Sequence, residues 1–204
     1  MKEEDIYYCR AFLSGICISI GGNAFIKVGG IAGAFLFSFG LLTIIHFKLP
    51  LYTGMAGFFD LTSKKEWARL FNVLTCNVAG CFFIASIIQE TRDGGDIIFT
   101  RIDAGYWQSF ASGIMCGIIM TLIVKAARDK NVIPLLLGIT VFIVSGYYHS
   151  VADAFYAATA AFDDDVMLFV RYVPCWVLIA AGNFVGCNVP RLLFYDKFDK
   201  PESL

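Results

Sequence analysis

The chain has 204 residues and a formal net charge of −1; 58% of its residues are hydrophobic and only 16% are charged. Soluble domains carry about a quarter charged residues, so the composition argues against a soluble protein, and the balanced charge gives no reason to expect a nucleic-acid partner. Seven cysteines lie mostly inside apolar runs, without a CxxC pair or a Cys/His cluster. This pattern predicts neither a disulfide framework nor a structural metal, and we expect no cofactor.

Six apolar stretches follow one another along the chain. A helix that spans a bilayer needs about 20 mostly apolar residues. We therefore predict an all-α membrane protein, a single transmembrane domain over residues 1–204, with spans at 9–27, 29–61, 68–88, 104–125, 132–162 and 166–190. The second and fifth stretches are longer than one span, and each contains a break.

The break in the second stretch runs from His46 to Gly54. It contains Lys48 and Pro50, which are poor residues for a lipid-exposed helix, since proline removes a backbone donor and clashes with the preceding turn. Thr53 lies where the apolar run resumes, and its hydroxyl suits the N-cap of the half-helix that follows.

The break in the fifth stretch contains His149. An ionisable side chain at membrane depth is costly and usually faces a pore or a cavity. Non-helical backbone is tolerated at that depth only where protein or a water-filled cavity surrounds it. We therefore predict a conduit with His149, a residue type that exchanges protons near physiological pH, at the break.

The two halves of the chain resemble each other. Residues 12–16 (FLSGI) match residues 110–114 (FASGI) at an offset of 98, and residues 77–81 (NVAGC) match residues 183–187 (NFVGC) at an offset of 106. Thr53 and Ser150, one in each break, are 97 residues apart. These matches predict two inverted three-helix repeats, at about 8–90 and 104–196. Interrupted helices at corresponding positions of such repeats point to a substrate site near the bilayer midplane.

The loop charges predict the orientation, because cytoplasmic loops are enriched in Lys and Arg. One side holds 11 of these residues, and the other holds only Lys27, Arg92, Arg101 and Arg171, with Lys48 in the first break. We expect an integral protein of the plasma membrane with both termini in the cytoplasm.

Three segments resemble the formate/nitrite transporter family. Residues 35–41 (FLFSFGL) and 51–54 (LYTG) are similar to that family's second helix and its interrupting loop, with the pattern Phe-Ser-Leu-Gly-Leu and then Leu-Phe-Thr-Gly. Residues 146–153 (GYYHSVAD) resemble its Gly-Phe-Glu-His-Ser-Val-Ala-Asn around a central histidine, and residues 182–186 (GNFVG) resemble its Gly-Asn-x-x-Gly.

The resemblance implies an aquaporin-like fold and a homopentamer with one pore per protomer. It also implies transport of small monovalent weak-acid anions: formate, nitrite, hydrosulfide, acetate or lactate. By position, it implies a central polar site formed by Thr53, His149 and Asn183. It further implies a cytoplasmic-side constriction formed by Phe37, Leu41, Tyr52 and Met120, and an outer constriction formed by Leu51 and Phe142.

The chain departs from the family's pattern at four places. Arg101 is nearest to the position where the family carries a lysine, and Tyr148 replaces the Glu before the histidine. Asp153 replaces the Asn after the histidine, and Gly117 stands where an Asn is expected early in the fourth helix.

These observations combine into one hypothesis, of a channel and not an enzyme. Arg101 and the positive ends of the half-helices attract an anion to a vestibule, and the apolar constrictions remove its water. Thr53 and His149 then hydrogen-bond the anion, and His149 either protonates or only polarises it, so that protons are partners too. An aquaporin-like pore for neutral solutes is the alternative, although the paired Asn-Pro-Ala loops are missing. A membrane subunit of a redox enzyme would need haem histidines or a metal cluster, which the sequence lacks.

Overall fold

The computed structural model describes residues 2–88, 92–162 and 166–193 of the chain. The predicted ends of the repeats at residues 90 and 194–196 lie outside this part. Every regular element in it is an α-helix: α1 (Glu3–Val28), α2 (Gly30–His46), α3 (Tyr52–Met55), α4 (Lys64–Ile87), α5 (Arg92–Arg128), α6 (Ile133–Val144), α7 (Ser150–Phe162) and α8 (Val166–Leu193). The prediction of an all-α protein is confirmed.

Within the described residues, four helices are long and apolar enough to cross a membrane. They cover Glu3–Val28, Lys64–Ile87, Gly94–Arg128 and Val166–Leu193, within α1, α4, α5 and α8. The helices α2 and α6 are shorter, with 17 and 12 residues, but they are the most apolar of all. Each is followed by a break of five residues and then by a second short helix, α3 or α7.

The fifth helix begins earlier than the predicted start at residue 104. It runs from Arg92, and the helical dihedral angles are interrupted only at Gly105, where φ is 86° and ψ is 172°. Glycine adopts this positive φ at little steric cost. The chain therefore adds a helical segment before the predicted span, and this segment carries Arg101. Its charged residues lower the local hydropathy, so the apolar pattern of the sequence did not predict this part of the helix.

The two helix breaks have the same backbone geometry. After α2, Lys48 N–H donates to Ile45 O at 3.2 Å, and Leu49 N–H donates to Ile44 O at 2.8 Å. After α6, residues 146 and 147 donate to residues 143 and 142, at 3.0 Å each. Both sets of bonds form a Schellman motif, which needs a left-handed residue after the helix. Lys48 and Gly146 occupy that position, with φ of 51° and 69°.

Glycines bring the long helices together in two equivalent pairs. A Cβ atom on Gly80 of α4 would collide with the carbonyl of Phe12 and lie 3.1 Å from the Cα of Gly15, both on α1. A Cβ atom on Gly182 of α8 would meet Phe110 and Gly113 of α5 in the same way. Small residues allow such close approach where lipid supplies no hydrophobic drive. In this contact the equivalent of Gly80 is therefore Gly182. The sequence match at offset 106 instead pairs Gly80 with Gly186, one helical turn later.

Candidate functional site

The two helix breaks meet at a buried polar pair. Thr53 Oγ1, on α3, lies 2.8 Å from His149 Nε2, directly before α7, and the two residues are 0% and 2% exposed. Ala152 N–H donates to His149 Nδ1 at 3.2 Å. Since Nδ1 accepts this bond, the proton of a neutral ring lies on Nε2, which then donates to the Thr53 hydroxyl oxygen.

Two buried asparagines hold the backbone of the breaks. Asn77 Oδ1 accepts from Tyr52 N–H at 2.9 Å, and its Nδ2 donates to the carbonyls of Ala11 and Pro50. The first break is thereby tied to α1 and α4. Pro50 removes a backbone donor, and the asparagine amide satisfies groups that a continuous helix would have satisfied itself.

The second break is held in the same way by Asn183. Its Oδ1 accepts from Ser150 N–H at 2.8 Å, and its Nδ2 donates to the carbonyls of Gly113 and Tyr148 at 2.9 Å each. Both protons of the Asn183 amide are committed to backbone. The sequence assigned Asn183 to the central polar site for the solute, whereas the structure shows it as a support for the break. The equivalent role of Asn77 was missed, although the NVAGC repeat contained it.

Two cysteine thiols cross-link the halves by hydrogen bonds. Cys81 Sγ, on α4, donates to Val151 O, in the first turn of α7, at 3.3 Å. Cys187 Sγ, on α8, donates to Thr53 O, on α3, at 3.5 Å. Each thiol thus contacts the short helix that follows the break of the opposite half, and both cysteines are 0% exposed. The sequence predicted only that the cysteines form neither a disulfide framework nor a metal site, and it gave no sign of these bonds.

One cavity, the Arg101 cavity, reaches the histidine. Its volume is about 290 Å³, and its lining includes Phe37, Arg101, Phe142, Tyr148, His149 and Asp153. A second cavity, the Lys48 cavity, has a volume of about 350 Å³ and reaches the residues on either side of Tyr52 and Thr53; its lining includes Leu41, Lys48, Leu51, Gly54, Arg128 and Lys130. His149 thus lines the first cavity, and its partner Thr53 lies in the chain between Leu51 and Gly54, which line the second.

Apolar side chains line each cavity near the polar pair. Phe37 and Phe142 lie edge to face with ring centroids 6.1 Å apart, and the Phe142 centroid is 6.1 Å from that of His149. Leu41 and Leu51 line the Lys48 cavity and are 2% and 1% exposed. The pairing differs from the predicted one, which placed Phe37 with Leu41 and Leu51 with Phe142.

The two remaining constriction residues, Tyr52 and Met120, are 7% and 1% exposed and do not line the described parts of these cavities. Tyr52 Oη donates to Ala180 O at 3.0 Å, which fixes its ring against α8. The structure thus packs both side chains into the core.

Arg101 is paired inside its cavity. The guanidinium forms an ion pair with Asp153, whose side chain is fully buried, and Tyr172 Oη donates to Asp153 Oδ2 at 2.6 Å. The sequence-based prediction of Arg101 as a vestibule cation did not anticipate this buried partner.

Metal chemistry has no ready ligands in the described part of the chain. Residues 2–88, 92–162 and 166–193 contain no group of three or more His, Cys, Asp or Glu side chains that could hold an ion.

Comparison with known proteins connects this geometry to a family. A family model described as "Formate/nitrite transporter" matches residues 3–195. A solved structure described as a pentameric formate channel with formate bound superposes with a TM-score of 0.82 at 21% identity, covering 95% of this chain and 98% of that one. Another, described as an FNT family ion channel, has a TM-score of 0.83 at 17% identity, covering 98% and 92%. The curated proteins contain no match. At these identities the solved structures show a shared fold.

Proposed function

The chain belongs to the formate/nitrite transporter family, and on that premise we propose that it is a membrane channel for small monovalent weak-acid anions such as formate, nitrite or hydrosulfide. The observation that carries the proposal is the buried contact between Thr53 and His149, 2.8 Å apart: His149 lines one cavity, and Leu51 and Gly54, on either side of Thr53 in the chain, line the other. This buried hydroxyl–imidazole pair has apolar side chains on both sides, Phe37 with Phe142 and Leu41 with Leu51, which we call the apolar collars. It offers hydrogen-bond donors to a small polar solute in an otherwise apolar path.

The architecture that fits this function has six spans. In it, α2 with α3 and α6 with α7 each form one interrupted span, and the two halves are inverted repeats. The matching Schellman motifs, asparagine supports and crossed thiol contacts support this arrangement. We place both termini in the cytoplasm of a plasma-membrane protein by the distribution of Lys and Arg. We further propose a homopentamer with one pore per protomer, as the solved relative is a pentameric formate channel.

The polar pair would act on the anion through a short chain of hydrogen bonds. His149 Nε2–H donates to Thr53 Oγ1, so the Thr53 hydroxyl is free to donate its own proton to a solute. A hydroxyl that accepts one bond becomes a better donor for the next. Protonating Nδ1 would break the bond from Ala152 N–H. His149 therefore orients and polarises the solute, and the proton that neutralises the anion comes from water on the side where it enters.

The apolar collars would make this neutralisation advantageous. An isolated charge between the Phe37–Phe142 pair and the Leu41–Leu51 pair would lose its hydration without full replacement. A weak-acid anion avoids most of that cost by combining with a proton before the collars and releasing it beyond them. Chloride or another strong-acid anion cannot do so, which gives a basis for selectivity.

Labelled-solute uptake into proteoliposomes tests the proposed function. We expect formate uptake to exceed that of protein-free vesicles by about tenfold or more, and excess nitrite to compete with it. Glycerol uptake should equal that of protein-free vesicles. Protein-dependent glycerol uptake without formate uptake would contradict the proposal and indicate a pore for neutral solutes.

The Lys48 cavity gives a prediction about ionic strength. Lys48, Arg128 and Lys130 line it without a carboxylate among the described lining residues, so this mouth should concentrate anions. Lys48→Gly removes one charge, and glycine adopts the left-handed φ of 51° without strain, so the helix break should remain intact. We expect formate uptake to fall about two- to threefold at 10 mM salt and to be nearly unchanged at about 0.5 M, because salt screens exposed charges.

The matched control for this variant is Lys65→Gln, which removes an exposed lysine on the first turn of α4 and does not line the cavity. It should leave uptake unchanged at both salt concentrations. An equal loss at low and high salt in Lys48→Gly would contradict the electrostatic role and indicate a damaged break instead.

A further inference from the structure

The ion pair between Arg101 and Asp153 is enclosed by aromatic side chains. Asp153 is 0% exposed and the Arg101 side chain is 12% exposed. The Arg101 Cζ atom lies 4.4 Å from the ring centroid of Tyr148 and 5.6 Å from that of Tyr156. With Tyr172 bonded to the carboxylate as well, the pair is held from several sides and cannot separate without a rearrangement of these rings.

The charges lining the two cavities differ. Among the described lining residues of the Arg101 cavity, Arg101 and Asp153 are the only ones with formal charge, and they cancel when His149 is neutral. The Lys48 cavity has three cations and no carboxylate in its described lining. An anion crossing the protein would therefore meet a positive mouth on one side and a balanced one on the other.

We propose that Asp153 is a specificity-determining residue that keeps the Arg101 cavity electrically balanced. A buried guanidinium without a counter-ion attracts anions strongly, because low-dielectric surroundings weaken a charge interaction far less than water does. Next to the polar pair, such a site would hold any anion and slow its release. Paired with Asp153, Arg101 offers hydrogen-bond donors to a passing solute without becoming an anion trap.

This role differs from simple attraction by Arg101, and the difference can be measured. Asp153→Asn leaves one net positive charge in the cavity and keeps an oxygen acceptor for Tyr172. We expect the KM for formate uptake and the maximal rate both to fall by about tenfold, and sulfate, a divalent probe, to inhibit at about tenfold lower concentration than in the parent protein. Arg101→Gln leaves one net negative charge, and we expect the KM for formate to rise by about tenfold.

The double variant Arg101→Gln/Asp153→Asn removes both charges and restores balance. We expect its KM and its sulfate sensitivity to return toward the parent values, so that the cycle is strongly non-additive. Asp103→Asn is the matched control, because it removes an exposed carboxylate from the same helix two residues from Arg101. It should leave the sulfate sensitivity unchanged.

The inference rests on the proposed function, and the uptake assay separates the two. If the parent protein takes up no formate, the proposed function fails. The other case is that the parent protein takes up formate while Asp153→Asn is unaffected and Arg101→Gln is as defective as the double variant. That result contradicts the proposed role of Asp153 and means that Arg101 simply attracts the anion. Size-exclusion profiles establish that each variant is folded. If Arg101→Gln does not fold, the other two variants still test the proposal. Sulfate sensitivity must rise in Asp153→Asn and must not rise in the double variant.

Discussion

Replacing His149 by phenylalanine is expected to reduce formate uptake by about 100-fold while leaving the protein folded. The variant loses the imidazole that orients the Thr53 hydroxyl, and a buried polar group left without a partner costs about 1–3 kcal/mol. A phenyl ring has a similar size and already has an apolar neighbour in Phe142, 6.1 Å from the imidazole centroid. The measurement is the initial rate of formate uptake in proteoliposomes, with size-exclusion chromatography to verify assembly.

The chain contains a matched control for this variant, because His46 is its other histidine and is exposed at the end of α2. His46→Phe should leave uptake within about twofold of the parent rate, as surface substitutions usually have small effects. Thr53→Val keeps the shape of the side chain and removes the hydroxyl, so it should reproduce most of the loss. Unchanged uptake in His149→Phe would contradict the role given to the polar pair.

Asn183→Leu is expected to destabilise the protein by at least about 3 kcal/mol or to prevent its folding. The amide satisfies Ser150 N–H and the carbonyls of Tyr148 and Gly113. Each buried polar group left without a partner costs about 1–3 kcal/mol, and lipid offers no water to replace the lost bonds. The midpoint of thermal unfolding in detergent, with the yield of monodisperse protein, measures the effect.

Asn72→Leu is the control for that measurement, since Asn72 is exposed on α4 and makes one bond of 3.3 Å to Tyr8 Oη. It should shift the unfolding midpoint by only a degree or two. A stable Asn183→Leu protein with altered solute preference would reverse the structural assignment and return Asn183 to the solute pathway.

Several features of the fold could be predicted because their signals are local. Apolar runs identify membrane helices. Lys48 and Pro50 inside one such run, and His149 inside another, each predicted a break in the helix. The breaks at 47–51 and 145–149 overlap the predicted ones, although Thr53, predicted as an N-cap, lies on α3, whose N-cap is Leu51. The segment of α5 before Gly105 could not be predicted in this way, because its charges lower the hydropathy although its backbone is helical.

The contacts of the site depend on tertiary structure, which no local pattern encodes. Asp153 is 52 positions from Arg101, and only the packing of α7 against α5 brings the two charges together. From the sequence, the side chain of Asn183 could face either a solute or the backbone. Only the positions of its Oδ1 and Nδ2 atoms show that it binds the backbone. The left-handed conformation of Lys48 could not be predicted either, because glycine is the usual residue for a positive φ and occupies the equivalent position, 146, in the second break.

The most direct test of the account is to measure formate uptake and internal acidification together, in proteoliposomes that contain a trapped pH dye. Formate that enters with a proton must release it inside, so we expect acidification in proportion to uptake, and both should rise as the external pH falls from about 8 to about 5. Protein-free vesicles provide the background to be subtracted. Formate uptake without acidification, and indifferent to pH, would contradict the claim that a weak-acid anion is neutralised on its way past Thr53 and His149.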